Sequence, residues 1–243
     1  MIAATEATDR RSHVVPMALG AAAVGGILYV QHRKRARPSD ELGADVLPMV
    51  TPSAEAPPPP AGRWVFPVPR WRGRDPVVSD GYGSPRIGGN RGGIHRGADI
   101  MFRRRSATEL IDVFPPSTKE ARSPHTRMHF LPPGTLVLAA GDGEIWSAGW
   151  TPRGFSVVLN HGRPWATYYT HLASLRVAET KRGGSKERVR AGQPLGVVGA
   201  DPKDARGVAH LHFELWHGGA GLAAIDPVPY LRRWPVVDAP EVR

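Results

Sequence analysis

Apolar and polar positions alternate most strictly near the C-terminal end, at Ala209-His210-Leu211-His212-Phe213-Glu214-Leu215. A period of two is the signature of a half-buried strand, in which side chains i and i+2 share a face. His210, His212 and Glu214 therefore project from one face, and Leu211, Phe213 and Leu215 from the other. Related patterns predict strands over residues 94–101, 136–140, 144–150, 155–160, 165–171, 194–199 and 209–216. Gly141-Asp142-Gly143, Pro152-Arg153-Gly154 and His161-Gly162-Arg163-Pro164 separate four of them. Connections this short are hairpins and imply antiparallel pairing. Residues 81–86 read as a turn, residues 181–188 as a basic loop tip, and residues 64–76, a mixture of aromatics, Pro and Arg, as a wrap around the domain edge.

Three stretches depart from this pattern. Residues 14–30 carry no charge over 17 positions and are followed at once by His32-Arg33-Lys34-Arg35. That length is the lower limit for a membrane span, so the segment is expected to be an N-terminal hydrophobic helix serving as a single anchor. Its Ala18/Ala22, Ala21/Gly25 and Ala22/Gly26 spacings suit helix-on-helix packing. Residues 38–63, with Pro57-Pro58-Pro59-Pro60, cannot pack a core and read as an extended Pro-rich linker. Residues 103–133 are basic, proline-bearing and weakly periodic, a long inserted loop with one helical turn near residues 108–113. The chain thus divides into residues 1–37, the linker 38–63 and a mainly β domain over 64–243.

Composition narrows the chemistry. The 243 residues include 28 Gly and 25 Pro, which favours turns and short strands over helices. There is no Cys, so thiolate metal sites and disulfides are excluded and any metal must be held by His, Asp or Glu. The net charge of +10 favours an anionic partner, such as an acidic polymer or a lipid headgroup layer. Nucleic acid is not expected, because the basic residues lack interleaved aromatics.

The histidines carry the remaining signal. His210 and His212 side by side on a strand read either as surface residues or as a metal site, for which neutral imidazole is the commonest side-chain ligand. His95-Arg96-Gly97-Ala98-Asp99 adds an imidazole and a carboxylate with small residues between them. One Asp and two His form a three-ligand set suited to Zn²⁺ with one position left open. His171, in Tyr168-Tyr169-Thr170-His171-Leu172, is expected at a strand end facing the same groove, as general acid or base or as an oxyanion partner. His125-x-x-x-His129 has ligand-like spacing, but its proline-flanked loop context argues against a metal site.

Taken in order, His95-x-x-x-Asp99, Tyr169-Thr170-His171-Leu172 and His210-Leu211-His212-Phe213-Glu214 resemble the signature motifs of lysostaphin-type zinc endopeptidases, which cut peptide cross-links of bacterial cell walls. Gly134-Thr135 through Gly143, the Val189 to Gly196 turn and Ile225-Asp226-Pro227 resemble that family's supporting segments. The resemblance runs from about Tyr82 to Leu231. It implies a small antiparallel β-sheet domain with a groove walled by loops. It also implies His95, Asp99 and His212 as Zn²⁺ ligands, with His171 and His210 as catalytic residues flanking the water and the substrate carbonyl. The implied reaction is metal-assisted hydrolysis of peptidoglycan. Glu214 is expected either to orient a ligand imidazole or to face solvent. Two departures stand out: the thirty-residue insertion after the Asp-bearing strand, and Ala209 where a proline is common.

The expected setting is the cell envelope, with the domain anchored through residues 14–30 and facing the wall. The charge around that segment favours the opposite orientation. The alternatives are a phage-tail or injection-device component of a virion, and a non-catalytic regulator of wall hydrolases.

Overall fold

A computed structural model describes residues 62–85, 93–106, 108–110, 113–114, 121, 128–184, 187–203 and 208–241. By its contacts the chain divides between Ala54 and Glu55, and every described residue lies in the second unit. The predicted span 14–30 and the linker as far as residue 61 lie outside the described residues. Among the described residues, no helix is long and apolar enough to cross a membrane.

Among the described residues the elements are β1 (Val77–Asp80), β2 (Ala98–Arg103), β3 (His129–Phe130), β4 (Leu136–Leu138), β5 (Gly143–Thr151), β6 (Gly154–Asn160), β7 (Trp165–Leu175), β8 (Arg188–Val189), β9 (Pro194–Val198), β10 (Leu211–His217), β11 (Ala223–Ile225) and a short helix, α1 (Val228–Leu231). The strands form one sheet in the order β1-β2-β10-β7-β6-β5-β8, with β11 on β10, β3 on β2, and β4 joined through β9 to β7. Every described pairing is antiparallel.

Alternation along β10 sorts its side chains as expected. Leu211, Phe213 and Leu215 are buried in the core, with Tyr169 edge-on to Phe213. His212, Glu214 and Trp216 take the other face, opposite Thr170, Tyr168 and Ala166 of β7. Burying one face against an apolar core fixes the register, because a slip of one residue would exchange the two faces. The metal-type residues are therefore placed by the hydrophobic pattern of their neighbours.

Several expectations are corrected. Residues 64–76 cover the edge of β4, Val65 N–H donating to the Ala140 carbonyl and Leu138 N–H to the Pro67 carbonyl, and beyond that expectation Val65, Phe66 and Val68 are core residues. Polar and proline positions mask that apolar content in the sequence. The strand expected over 94–101 runs instead from Ala98 to Arg103, because the chain entering it is held by a turn. The strand expected to end at His171 continues to Leu175.

The insertion is not simply a loop. It returns as β3, pairing Phe130 with Phe102, and places Leu110, Phe114, Phe130 and Leu131 in the core. Trp71 packs against both Phe102 and Phe130, and Arg74 pairs with Glu109. The expected helical turn is present as a turn closed by the Phe114 amide on the Leu110 carbonyl. His125 lies outside the described residues, and His129 pairs with Arg103 in β3. The short strands β1, β8 and β11 have too few alternating positions to show in the sequence.

Candidate metal centre and active site

Three elements bring the first three residues together. The turn at Gly81-Tyr82-Gly83-Ser84 exchanges hydrogen bonds with His95, Gly83 N–H donating to the His95 carbonyl and His95 N–H to the Ser84 carbonyl, each at 2.8 Å. Gly97 then lets the chain pass against β10, since a Cβ there would collide with the Phe213 carbonyl oxygen. Asp99 on β2 pairs directly with His212 on β10. Directly opposed residues share a face.

The result is a triangle of three atoms. His95 Nε2 lies 2.8 Å from His212 Nδ1, and Asp99 Oδ1 lies 3.0 Å from both. Of these residues, His95 and Asp99 are buried and His212 nearly so. The outward nitrogens are also engaged. His95 Nδ1–H donates to the Gly81 carbonyl at 2.9 Å, and His212 Nε2–H to Glu214 Oε1 at 3.0 Å. Each inward nitrogen is then a lone pair, so two imidazole lone pairs and a carboxylate oxygen face one another. Such a set is favourable only with a cation among them, either a proton on His212 Nδ1 shared with Asp99 or a metal ion in its place.

The donor set fits zinc. Bonds of about 2.0–2.1 Å to a tetrahedral ion separate ligand atoms by roughly 3.3 Å, close to the triangle's edges. A second observation agrees: Thr170 Oγ1, beside His212 on the same face, is buried without a hydrogen-bond partner. An orphaned hydroxyl in a polar pocket calls for a polar ligand or an ordered water.

The electrostatics follow from burial against carboxylates. Burial would push His212 down, but hydrogen bonds to Asp99 and Glu214 outweigh it and hold its pKa up at about 9. Burial would raise Asp99, but the bonds from His212 and His95 pull it well below the ordinary carboxylate value. Glu214 is only 4% exposed, which rules out the solvent-facing alternative. Burial acts to raise it, and the bond from His212 together with that from Trp216 Nε1 at 2.6 Å brings it below the usual range.

His210 and His171 stand beside the triangle. His210 precedes β10, its Nδ1–H donating to the Val208 carbonyl at 2.9 Å and its Nε2 lying 3.8 Å from Asp99 Oδ1. His171 arrives by a break in alternation. Tyr169 points to the core and Thr170 to the site face, so a regular strand would send His171 to the core. Its φ of +67° turns it out, and its ring centroid lies 4.6 Å from that of His210 and 5.8 Å from that of His212. Positive φ is costly for a residue with a Cβ and tends to occur where a side chain must be re-aimed. His171 Nδ1–H donates to the Arg153 carbonyl at 2.9 Å, leaving Nε2 open. Burial, then the neighbouring His210, push its pKa down to about 3.

All five residues read from the sequence, His95, Asp99, His171, His210 and His212, are thus gathered in one site. The holding carbonyls of Gly81, Arg153 and Val208 were not legible, because backbone oxygens leave no mark in composition. Glu214 was the one orienting side chain that spacing pointed to.

Residues 123–227 match the sequence model of peptidase family M23. That span holds His171, His210 and His212 and begins within the insertion, after His95 and Asp99. The chain is 36% identical over 110 residues to glycyl-glycine endopeptidase ALE-1 of Staphylococcus capitis, covering 42% of this chain and 27% of that protein. It is 35% identical over 102 residues to the peptidoglycan DD-endopeptidase ShyA of Vibrio cholerae, covering 41% and 22%. The catalytic domain of the antimicrobial peptidase lysostaphin from Staphylococcus simulans aligns in structure over 64% of this chain and 92% of that domain, at 26% identity and a TM-score of 0.43. The chain spans between 13% and 27% of the length of the curated relatives it matches.

Proposed function

We propose that this chain, which carries a domain of peptidase family M23, is a zinc-dependent endopeptidase that hydrolyses peptide cross-links of bacterial peptidoglycan. The observation that carries the reading is the triangle of His95 Nε2, Asp99 Oδ1 and His212 Nδ1 with two further imidazoles at its side. The substrate class is supported by the activities named for ALE-1 and ShyA.

His95, Asp99 and His212 would hold the zinc. When bound, Zn²⁺ supplies Lewis-acid polarisation of a carbonyl and activation of water near neutral pH. The other steps belong to the protein. The ring centroids of His171 and His210 lie 4.6 Å apart, and burial together with that neighbour disfavours the charged form of His171. Burial keeps His171 neutral, and the Arg153 carbonyl fixes its proton on Nδ1. We assign His171 Nε2 as the acceptor of the attacking water's proton on the geometry of the Arg153 bond rather than on basicity, which burial lowers. His210, when protonated, donates from Nε2 to the developing oxyanion, and its charge is offset by Asp99. Either imidazole can then return a proton to the leaving amine.

We place the domain in the cell envelope on the wall side, anchored through residues 14–30. Two supports carry this: the uncharged run in that segment, and a substrate that lies outside the cytoplasm.

The test is cleavage of purified peptidoglycan by the full chain, followed as new amino termini. Termini are expected to accumulate, to stop on adding a chelator and to resume on restoring zinc. Cleavage that continues unchanged in chelator, or its absence from protein holding one zinc per chain, would overturn the reading.

A further inference from the structure

Asp201 is a carboxylate buried at 6% exposure that the chemistry above leaves unused. It follows β9 in Gly199-Ala200-Asp201-Pro202-Lys203. That segment is tied to both catalytic imidazoles through backbone: Gly199 N–H donates to the His171 carbonyl at 2.6 Å, and the Gly199 carbonyl accepts from His210 N–H at 3.2 Å. Gly199 must be glycine for this, since a Cβ would stand 2.8 Å from the Ala173 nitrogen.

Both Asp201 oxygens are engaged. Oδ1 accepts the Lys203 backbone N–H at 2.8 Å, and Oδ2 accepts from Arg153 Nη1 at 2.8 Å while lying 3.9 Å from His171 Nδ1. Arg153 sits in the β5–β6 hairpin turn and serves two partners. Its carbonyl receives the His171 Nδ1–H, and its guanidinium is held by Asp201. The turn is short and exposed, and Gly154 beside it has φ +93°. Thr151 Oγ1 holds the turn locally, accepting from the Arg153 N–H at 3.2 Å and donating to the Gly154 carbonyl at 2.7 Å, and the Asp201 tie adds a hold from outside the hairpin.

We propose that Asp201 is a positioning residue for His171: by gripping the Arg153 side chain it fixes the Arg153 carbonyl that holds the His171 proton on Nδ1 and presents Nε2 to the reaction. The proposal rests on His171 acting as the proton acceptor. Asp201 touches no metal ligand; its hydrogen-bonded hold on the reaction runs through Arg153, with its own Oδ2 3.9 Å from His171 Nδ1. Orienting groups of this kind typically change activity by about 10- to 100-fold when removed.

The test uses the full-length, zinc-loaded chain and reads His171 directly, by nitrogen–proton correlation spectra of its imidazole. The wild type is expected to show the proton on Nδ1. Asp201→Ala and Arg153→Ala should both shift His171 toward a mixture of the two tautomers. Arg153→Ala retains the carbonyl and removes only an exposed side chain, so it guards against a folding defect at position 201. Arg153→Lys, which restores a cation for Asp201, should return the signal toward the wild-type position. On peptidoglycan fragments, Asp201→Ala should lower kcat by about 10-fold or more with KM within about twofold. Unchanged His171 signals in both alanine variants would overturn the proposal, as would a loss of thermal stability alone. The spectra do not depend on turnover, so an inactive wild type would refute the endopeptidase reading while leaving the positioning of His171 decided on its own evidence.

Discussion

Each imidazole in the site is defined by what its far nitrogen touches. Carbonyl oxygens of Gly81, Arg153 and Val208 and the carboxylate of Glu214 can only accept, so they set four tautomers and aim four lone pairs inward. Glu214→Gln keeps an acceptor for His212 and removes the charge. Zinc affinity, measured by competition with a chromogenic chelator, is expected to weaken by about tenfold.

A fifth histidine works differently. His161 donates to the Asp142 carbonyl at 2.7 Å, lies 2.7 Å from the Thr167 hydroxyl and packs on Trp64, and burial pushes its pKa down to about 4. In the unfolded chain it titrates near 6.5, so between those values the unfolded state binds more protons. Stability from this group is therefore complete above pH 6.5 and is lost as pH falls toward 4, by roughly 3 kcal/mol. Urea unfolding at pH 7 and pH 4.5 should show the loss, and His161→Gln should flatten that part of the profile.

At the scale of elements, the sheet places the site by register. Period-two alternation made β10 legible, together with the shared face of His212 and Glu214, because one half of that strand is apolar without interruption. The same rule fails at His171, where a single residue of positive φ reverses the facing, and no sequence signal announces that reversal. It fails again at residues 64–76, whose core side chains are interspersed with Pro and Arg. Gly97 matters here as a contact between strands. Gly97→Ala must push β2 away from β10, and it is expected to cost about 1–3 kcal/mol by thermal unfolding and to weaken zinc retention, since Asp99 rides on β2. The described part of the insertion contributes a strand, β3. Phe130 is fully buried between Trp71, Phe102 and Phe114, so Phe130→Ala is expected to cost about 3–5 kcal/mol in urea titration. A loss below about 1 kcal/mol would mean that β3 is dispensable.

For the molecule as a whole, one sheet collects residues from four separate stretches of chain: the turn before β2, the middle of β7, the end of β9 and the start of β10. The insertion lies between two of them in sequence and sends Leu110, Phe114, Phe130 and Leu131 into the core, and His95 and Asp99, some seventy residues before His171, still meet His212. The antiparallel β class was legible in side-chain alternation, and the five residues that the structure gathers were singled out by their motifs and by the family resemblance those motifs carry. The carbonyls and Asp201 that hold the imidazoles were not, because they depend on where the folded backbone passes. X-ray absorption on the zinc-loaded full chain tests the gathering of these residues most directly. A first shell of nitrogen and oxygen at about 2.0–2.1 Å, with scattering from two imidazole rings that falls to one in His212→Ala, is expected. Zinc that fails to bind, or a shell unchanged by removing His212, would contradict it.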